Sequence, residues 1–339
     1  MSHSLSAARA LSALCAAAVL SGCAAKAHNV PVHASGRAAG TASPAAVPPV
    51  ITAAGARQVL AQFTAANNKA NQARSDRMLA SYEAGSSYAL DKGNYRWTKV
   101  TDPAGSQYIA AVFTGPAFYI PRAGSGAAAW WVTRATWTPA GKSASSPPTP
   151  QYLVFSRASP GRWMEVLEPY AVPGAGPVPP VAADAAGYAS APGSAQAAQL
   201  AVPPGQVPSL TAAYLDGHPA GLRLTGASNL TDLHDQAFWQ SRLPQGSTDD
   251  QHSVTADPVY ALRTAGGGAL LWYDLTARLT LAPPGGQSFR VQIPGFYSAS
   301  QTETSASVGY AEQFCVYDPP RGQGSPRLVA DTSGIASRG

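Results

Sequence analysis

The chain has 339 residues, of which only 12% are charged, with 32 glycines, 30 prolines and a formal net charge of +5. That length accommodates two ordinary domains plus linkers, and the glycine and proline content favours strands, turns and loops over long charged helices. The basic residues are scattered, which excludes the basic stripe of a nucleic-acid surface, and the three cysteines, Cys15, Cys23 and Cys315, provide no disulfide framework.

An apolar run from Ala10 to Leu20 follows Arg9 and ends in Leu20-Ser21-Gly22-Cys23. Eleven apolar residues suit a secretory signal and are too few to cross a bilayer. The small residues before Cys23 resemble the lipobox of bacterial lipoproteins. The resemblance implies cleavage after residue 22, acylation of Cys23, and display on the outer face of the cytoplasmic membrane. Two or three acyl chains, at about 0.8 kcal/mol per buried CH₂, would hold the protein there. Cys15 then leaves with the signal and Cys315, within Phe314-Cys315-Val316-Tyr317, is expected to be a buried apolar residue. Residues 23–50 are Ala, Gly, Pro, Ser and Thr with almost no large apolar side chain, so a disordered stalk is expected.

Folded structure is expected from Thr52, an N-cap residue, with Ala56, Val59, Phe63, Ala66 and Ala70 at helical spacing and Gln58, Gln62, Asn67 and Lys69 off that stripe. A short helix follows, capped by Ser75 or Asp76 and stopped at Gly85. Beyond it the period falls towards two, predicting strands at 107–113, 118–120 and 127–138. Residues 151–157 and 162–168 flank Ala158-Ser159-Pro160-Gly161 and predict a β-hairpin.

One long helix, one short helix and then an antiparallel sheet closing on Gly161-Arg162-Trp163 resemble an NTF2-like (cystatin-like α+β) domain over residues 51–172. Residues 173–204 return to Pro, Gly and Ala and read as a linker. After it, residues 260–272 align without a gap on 119–131, repeating Tyr, Arg, Gly, Ala and Trp in register. Val166-Leu167-Glu168-Pro169 is echoed fainter by Val316-Tyr317-Asp318-Pro319. Duplication is the simplest account. The fold class expected is therefore α+β, two tandem NTF2-like lobes with N-terminal helices and curved antiparallel sheets, the second at 205–320 with helices near Pro208 and at 231–239. Residues 321–339 read as a partly disordered tail. A chain so built resembles two-lobed actinobacterial lipoproteins of a domain-of-unknown-function family, which implies no catalytic residues.

Candidate chemistry is sparse. Residues 52–172 contain neither histidine nor cysteine, which excludes a histidine base, a Ser-His-Asp triad or a histidine metal site there. His28 and His33 lie in the stalk. Asp232-Leu233-His234-Asp235 suits a helix N-terminus, and Asp249-Asp250 with His252 follows what reads as an exposed loop. Gly266-Gly267-Gly268 lacks the Lys-Ser/Thr of a phosphate-binding loop and reads as a hairpin turn. No cofactor, metal or catalytic residue is assigned. The aromatic residues are more promising. Adjacent Trp130 and Trp131 must point to opposite faces of a strand, and Trp130, Trp131, Trp137 and Trp163, with Arg122 and Arg134 at the mouth, could line a cavity for a glycan or apolar ligand. The function expected is a lipid-anchored binding or assembly module of the cell envelope. Its partners are expected to be the membrane and an envelope protein, glycan or apolar ligand, not nucleic acid. The alternative is a hydrolase or isomerase with one carboxylate site, at Asp232 or Asp235.

Overall fold

The computed structural model describes residues 47–124, 128–140, 148–157, 161–218, 247–255, 257–298 and 300–339. The signal, Cys23, most of the stalk and the 231–239 helix with Asp232, His234 and Asp235 lie outside the described residues. The architecture is α+β, with few helices and one large antiparallel sheet.

Helix α1 (Ala53–Ala73) begins where Thr52 caps the Gly55 amide, and Arg74 ends it in the left-handed region at φ 47°. Its apolar face buries Ala56, Leu60, Phe63 and Ala70, together with Asn67. The one-turn helix α2 (Asp76–Leu79) follows, with Ser75 accepting from Met78 N. Gly85 does not stop the chain. It opens a helix absent from the sequence reading, α3 (Gly85–Thr101). Ser86, Ser87 and Gly93 lie on its buried side with Leu90 and Tyr95, so the apolar stripe that would announce it is broken.

The sheet comprises β1 (Ala111–Tyr119), β2 (Ala129–Pro139), β3 (Thr149–Arg157), β4 (Met164–Leu167), β5 (Tyr170–Ala171), β6 (Ser247–Val254), β7 (Tyr260–Arg263), β8 (Ala269–Ala282), β11 (Ala306–Asp318) and β12 (Arg327–Arg338). Its path is β1-β2-β3-β5-β12-β11-β8-β6, with β4 added to β3 and β7 to β8. Each half of the chain thus forms an antiparallel meander, and the two meanders join through their last strands, Asp331 pairing with Tyr170 and Ala330 with Ala171. A small ribbon, β9 (Phe289–Arg290) and β10 (Thr302–Glu303), and the short helices α4 (Ser194–Ala197) and α5 (Val207–Leu215) complete the described elements.

One face of the sheet carries the helices. Beneath α1, Trp131, Leu153 and Phe155 form a core with Ala56, Leu60 and Phe63. Beneath α5, Leu271, Tyr273, Phe314 and Val316 pack on Val207 and Ala212, and the 289–303 region covers Leu279, Leu281 and Val308. The opposite face curls inward. Tyr152 of β3 and Trp272 of β8 lie 5.7 Å apart by ring centroids, although β5, β12 and β11 intervene and would separate them by about 19 Å in a flat sheet. Cys315 is fully buried in that inner core, as a small apolar residue.

Three readings are corrected. The 173–204 stretch, expected as a linker, is fixed to the body: Val181 bridges Thr264, Pro121 bridges Ala189, and Leu200 bridges Pro320. Ala189 and Leu200 are 4% and 1% exposed, so this stretch supplies core as well as connection. Leu200→Ala is expected to cost about 2–3 kcal/mol, measured by denaturant unfolding; a slack linker would show no loss. Residues 327–338, expected as part of a disordered tail, form β12 in the middle of the sheet. Polar Asp331, Thr332 and Ser333 hide its strand pattern, yet Leu328, Val329 and Ala330 are buried. Finally, Ser247 and Thr248, expected in a loop before Asp249-Asp250, begin the strand β6.

The ungapped repeat also needs amendment. Tyr119 and Tyr260 both pack in the inner core, but Trp131 lies on the helix-bearing face whereas Trp272 faces inward. A one-residue shift inverts every side chain of a strand, so the correspondence requires a gap in the intervening turn. The fainter echo falls at the close of β4 and of β11, each just before the strand through which the meanders join.

Candidate functional site

The six residues expected to line one cavity fall in separate settings. Trp131 is fully buried, stacked on Phe155 at 4.4 Å and edge-on to Trp163 at 6.2 Å. Trp163 is half-buried, beneath the Arg157 guanidinium, and lines a groove with Gln58, Gln62 and Tyr82. Trp130 turns to the inner face against Tyr260, 5.2 Å away. Arg134 is exposed on that same inner-facing side, in a groove with Tyr119 and Tyr152 under the 173–181 segment. Arg122 pins loops: it bonds Asp184 Oδ2 at 2.7 Å and Val47 O at 2.6 Å and lies over Tyr188. Only Trp137 opens onto the polar cleft described next.

That cleft, of about 440 Å³, lies between the C-terminal halves of α1 and α3 and the helix-bearing face of β1–β3. Its walls are Phe113, Trp137, Tyr95 and Tyr170, and its polar lining includes Asn67, Asn71, Asp91, Gln151 and Glu168. Phe63, Asn67 and Asn71 recur every four residues on one side of α1. Asn67, read as off the apolar stripe, is 8% exposed and accepts from Tyr82 OH at 3.3 Å. Asn71 accepts from Tyr95 OH. Gln151 of β3 is 1% exposed; its Nε2 donates to Glu168 O at 3.0 Å and Glu168 Oε2 at 3.2 Å, while its Oε1 has no partner. A buried acceptor without a donor costs about 1–3 kcal/mol, and Gln151, a residue of the cleft lining, carries that cost at Oε1.

Behind the cleft four carboxyl groups, Glu83, Asp91, Glu165 and Glu168, are gathered between α3 and β4. Backbone bonds fix two of them, Glu165 N to Tyr82 O and Ala84 N to Glu165 O, both at 2.9 Å. Ser87 Oγ donates to Glu165 Oε1 at 3.1 Å. Gln313 of β11 donates to Ser86 and Ser87 at 3.0 Å and accepts from Glu168 N at 2.6 Å, tying the second meander to the site. Burial pushes the Asp91 carboxyl up to about 7. Glu83, Glu165 and Glu168 are also held well above the ordinary carboxylate range, by burial first and then by their like-charged neighbours. Arg74 lines the same cleft, but its guanidinium is bonded to the carbonyls of Thr98, Asp102 and Pro103. The cleft therefore combines aromatic walls, a buried acceptor and carboxyl groups with no basic side chain bonded to them among the described residues.

Among the described residues no group of three His, Cys, Asp or Glu side chains is arranged to hold a metal ion, and no helix is long and apolar enough to cross a membrane. Asp249, Asp250 and His252 belong to β6, and His218 is exposed after α5. Sequence reasoning missed the cleft's carboxylates because it sought chemistry in short clusters. Asp91, Gln151 and Glu168 are far apart in the chain, and the available signal was the pair of asparagines interrupting the face of α1.

A family model described as a domain of unknown function (DUF8094) matches residues 47–338, and the chain belongs to that family. No curated protein and no solved structure matches it.

Proposed function

We propose that this DUF8094 member is a lipid-anchored protein on the outer face of the cytoplasmic membrane, of actinobacterial type, that binds a small ligand without transforming it. The anchor rests on the lipobox ending at Cys23. The binding role rests on one observation above the others: an open cleft whose buried Gln151 presents an unpaired acceptor between aromatic walls. Such convergence of a few polar groups in an apolar-walled cleft is the usual form of a small-molecule site. A glycan of the envelope suits it, because a sugar ring offers an apolar face to Trp137 and hydroxyls to Gln151.

We also read the halves as tandem NTF2-like copies. Supporting this are the two meanders joined by their last strands and the helices lying on one face of both. The cleft then lies inside the first copy.

The experiment is an array of envelope saccharides probed with the purified full-length protein and with Trp137→Ala. A saccharide bound by the parent and weakened at least ~10-fold in the variant, about 1.4 kcal/mol, is the expected result, with the bound saccharide recovered unchanged by mass spectrometry. No binding to any saccharide would remove the reading. A second reading, acid–base chemistry, is favoured by Asp91, whose pKa of about 7 suits a general base. It replaces the first if the saccharide is recovered cleaved or isomerised and Asp91→Asn stops the conversion.

A further inference from the structure

We propose that the cleft takes an amino sugar, a hydroxylated ring carrying a free ammonium group, a refinement that rests on the ligand-binding reading above. The cleft supplies both hydrogen-bonding senses. Gln151 Oε1 is an unpaired acceptor in a side chain 1% exposed, whereas Asn71 spends its Oδ1 on Tyr95 and leaves its amide nitrogen as a donor. Hydroxyl groups, which donate and accept, meet both demands. A neutral sugar would stop there, and it would leave the carboxyl groups unanswered.

Asp91 and Glu168 line the cleft, and both are half-buried. Glu168 accepts from the neutral amide of Gln151, and neither carboxyl is bonded to a basic side chain among the described residues. Arg74, the basic residue nearest in the lining, is turned to backbone carbonyls. Burial without an opposite charge favours the protonated form of these groups, and an ammonium arriving in the cleft supplies that charge, so that a carboxyl gives up its proton to solvent and pairs with it. Tyr95, Tyr170 and Trp137 also line the cleft, and the face of an aromatic ring attracts a cation through its π-system. A second cleft shares Asp91, Glu168 and Tyr170 from the β12 side, so these groups can be reached from two directions.

The test is isothermal titration of the full-length protein with the β-linked glucosamine disaccharide and with its N-acetylated counterpart. The two probes share ring and hydroxyls and differ in charge. The free amine is expected to bind at least ~10-fold tighter, and Asp91→Asn to bring the two probes to parity with the melting temperature retained. Glu168→Gln serves as the second variant should Asp91→Asn fold poorly. Equal binding of both probes overturns the amine inference and leaves the binding reading standing. Failure of both probes also overturns it, and the saccharide array then decides separately whether any glycan is bound.

Discussion

Gly93→Val is expected to yield no cooperatively folded protein, and Gly93→Ala to lose about 3 kcal/mol or more in denaturant unfolding. A Cβ at this position would lie 1.8 Å from the Ile335 carbonyl oxygen and 2.9 Å from its carbon. These are backbone atoms of β12, so no side-chain rotation can relieve the contact. Helix propensity works the other way, since alanine in a helix interior is favoured over glycine by about 1 kcal/mol. Steric exclusion wins, because α3 would have to lift off β12. The neighbouring Asn94 is exposed, and Asn94→Ala, expected within about 0.5 kcal/mol of the parent, controls for a general effect on α3. A Gly93→Ala protein as stable as the parent would mean that α3 and β12 do not meet as described.

The second large effect is on pH dependence. The melting temperature is expected to be higher at pH 5 than at pH 8. The folded protein holds Glu83, Asp91, Glu165 and Glu168 protonated to higher pH than the unfolded chain does. Over that interval the native state binds more protons, so its stability falls as pH rises, by up to about 1.4 kcal/mol per unit for each such group. This stability is fully present below the free carboxylate values. It is lost through about 7 for Asp91, and later groups extend the loss upward. Asp274, raised to about 6, and Asp318, raised to about 7, act in the same sense. Asp102 and Asp184 act oppositely, since hydrogen bonds to their carboxylates lower them, so their contribution is present above the free carboxylate value and is lost as pH falls below it. Glu165→Gln retains the shape, can still accept from Ser87, and removes one ionisation, so it should narrow the gap between pH 5 and pH 8. A melting temperature that rises from pH 5 to pH 8 would show that these groups are ionised and solvated in the folded protein.

Much of the local structure was legible because its signals are local. Thr52 capping an apolar helical stripe, Ser75 capping the next turn, and paired strand-like runs around Pro160-Gly161 each act within a few residues. The 85–101 helix was not legible in the same way. Its buried side mixes Leu90 and Tyr95 with Ser86, Ser87 and Gly93, small residues that allow close approach to β4, β11 and β12 and interrupt the apolar stripe. Residues 173–204 misled for a related reason: few large side chains suggest slack, but a small Ala189 and a single Leu200 are buried against the body and β-bridges hold the stretch to it.

By itself the sequence determined the class of the protein: an α+β chain rich in strands, with no histidine or cysteine between residues 52 and 172 and with aromatic residues spaced along β2, β3 and β8. Alternation and capping depend on neighbours in the chain, so one sequence suffices to read them. Only the tertiary structure decided that 327–338 is a central strand, that the two meanders share one sheet, and that Asp91, Gln151 and Glu168 converge. Those outcomes depend on which surfaces meet after the chain has turned back on itself. A carboxyl group's pKa and a glycine's necessity are properties of that meeting, not of the residues on either side.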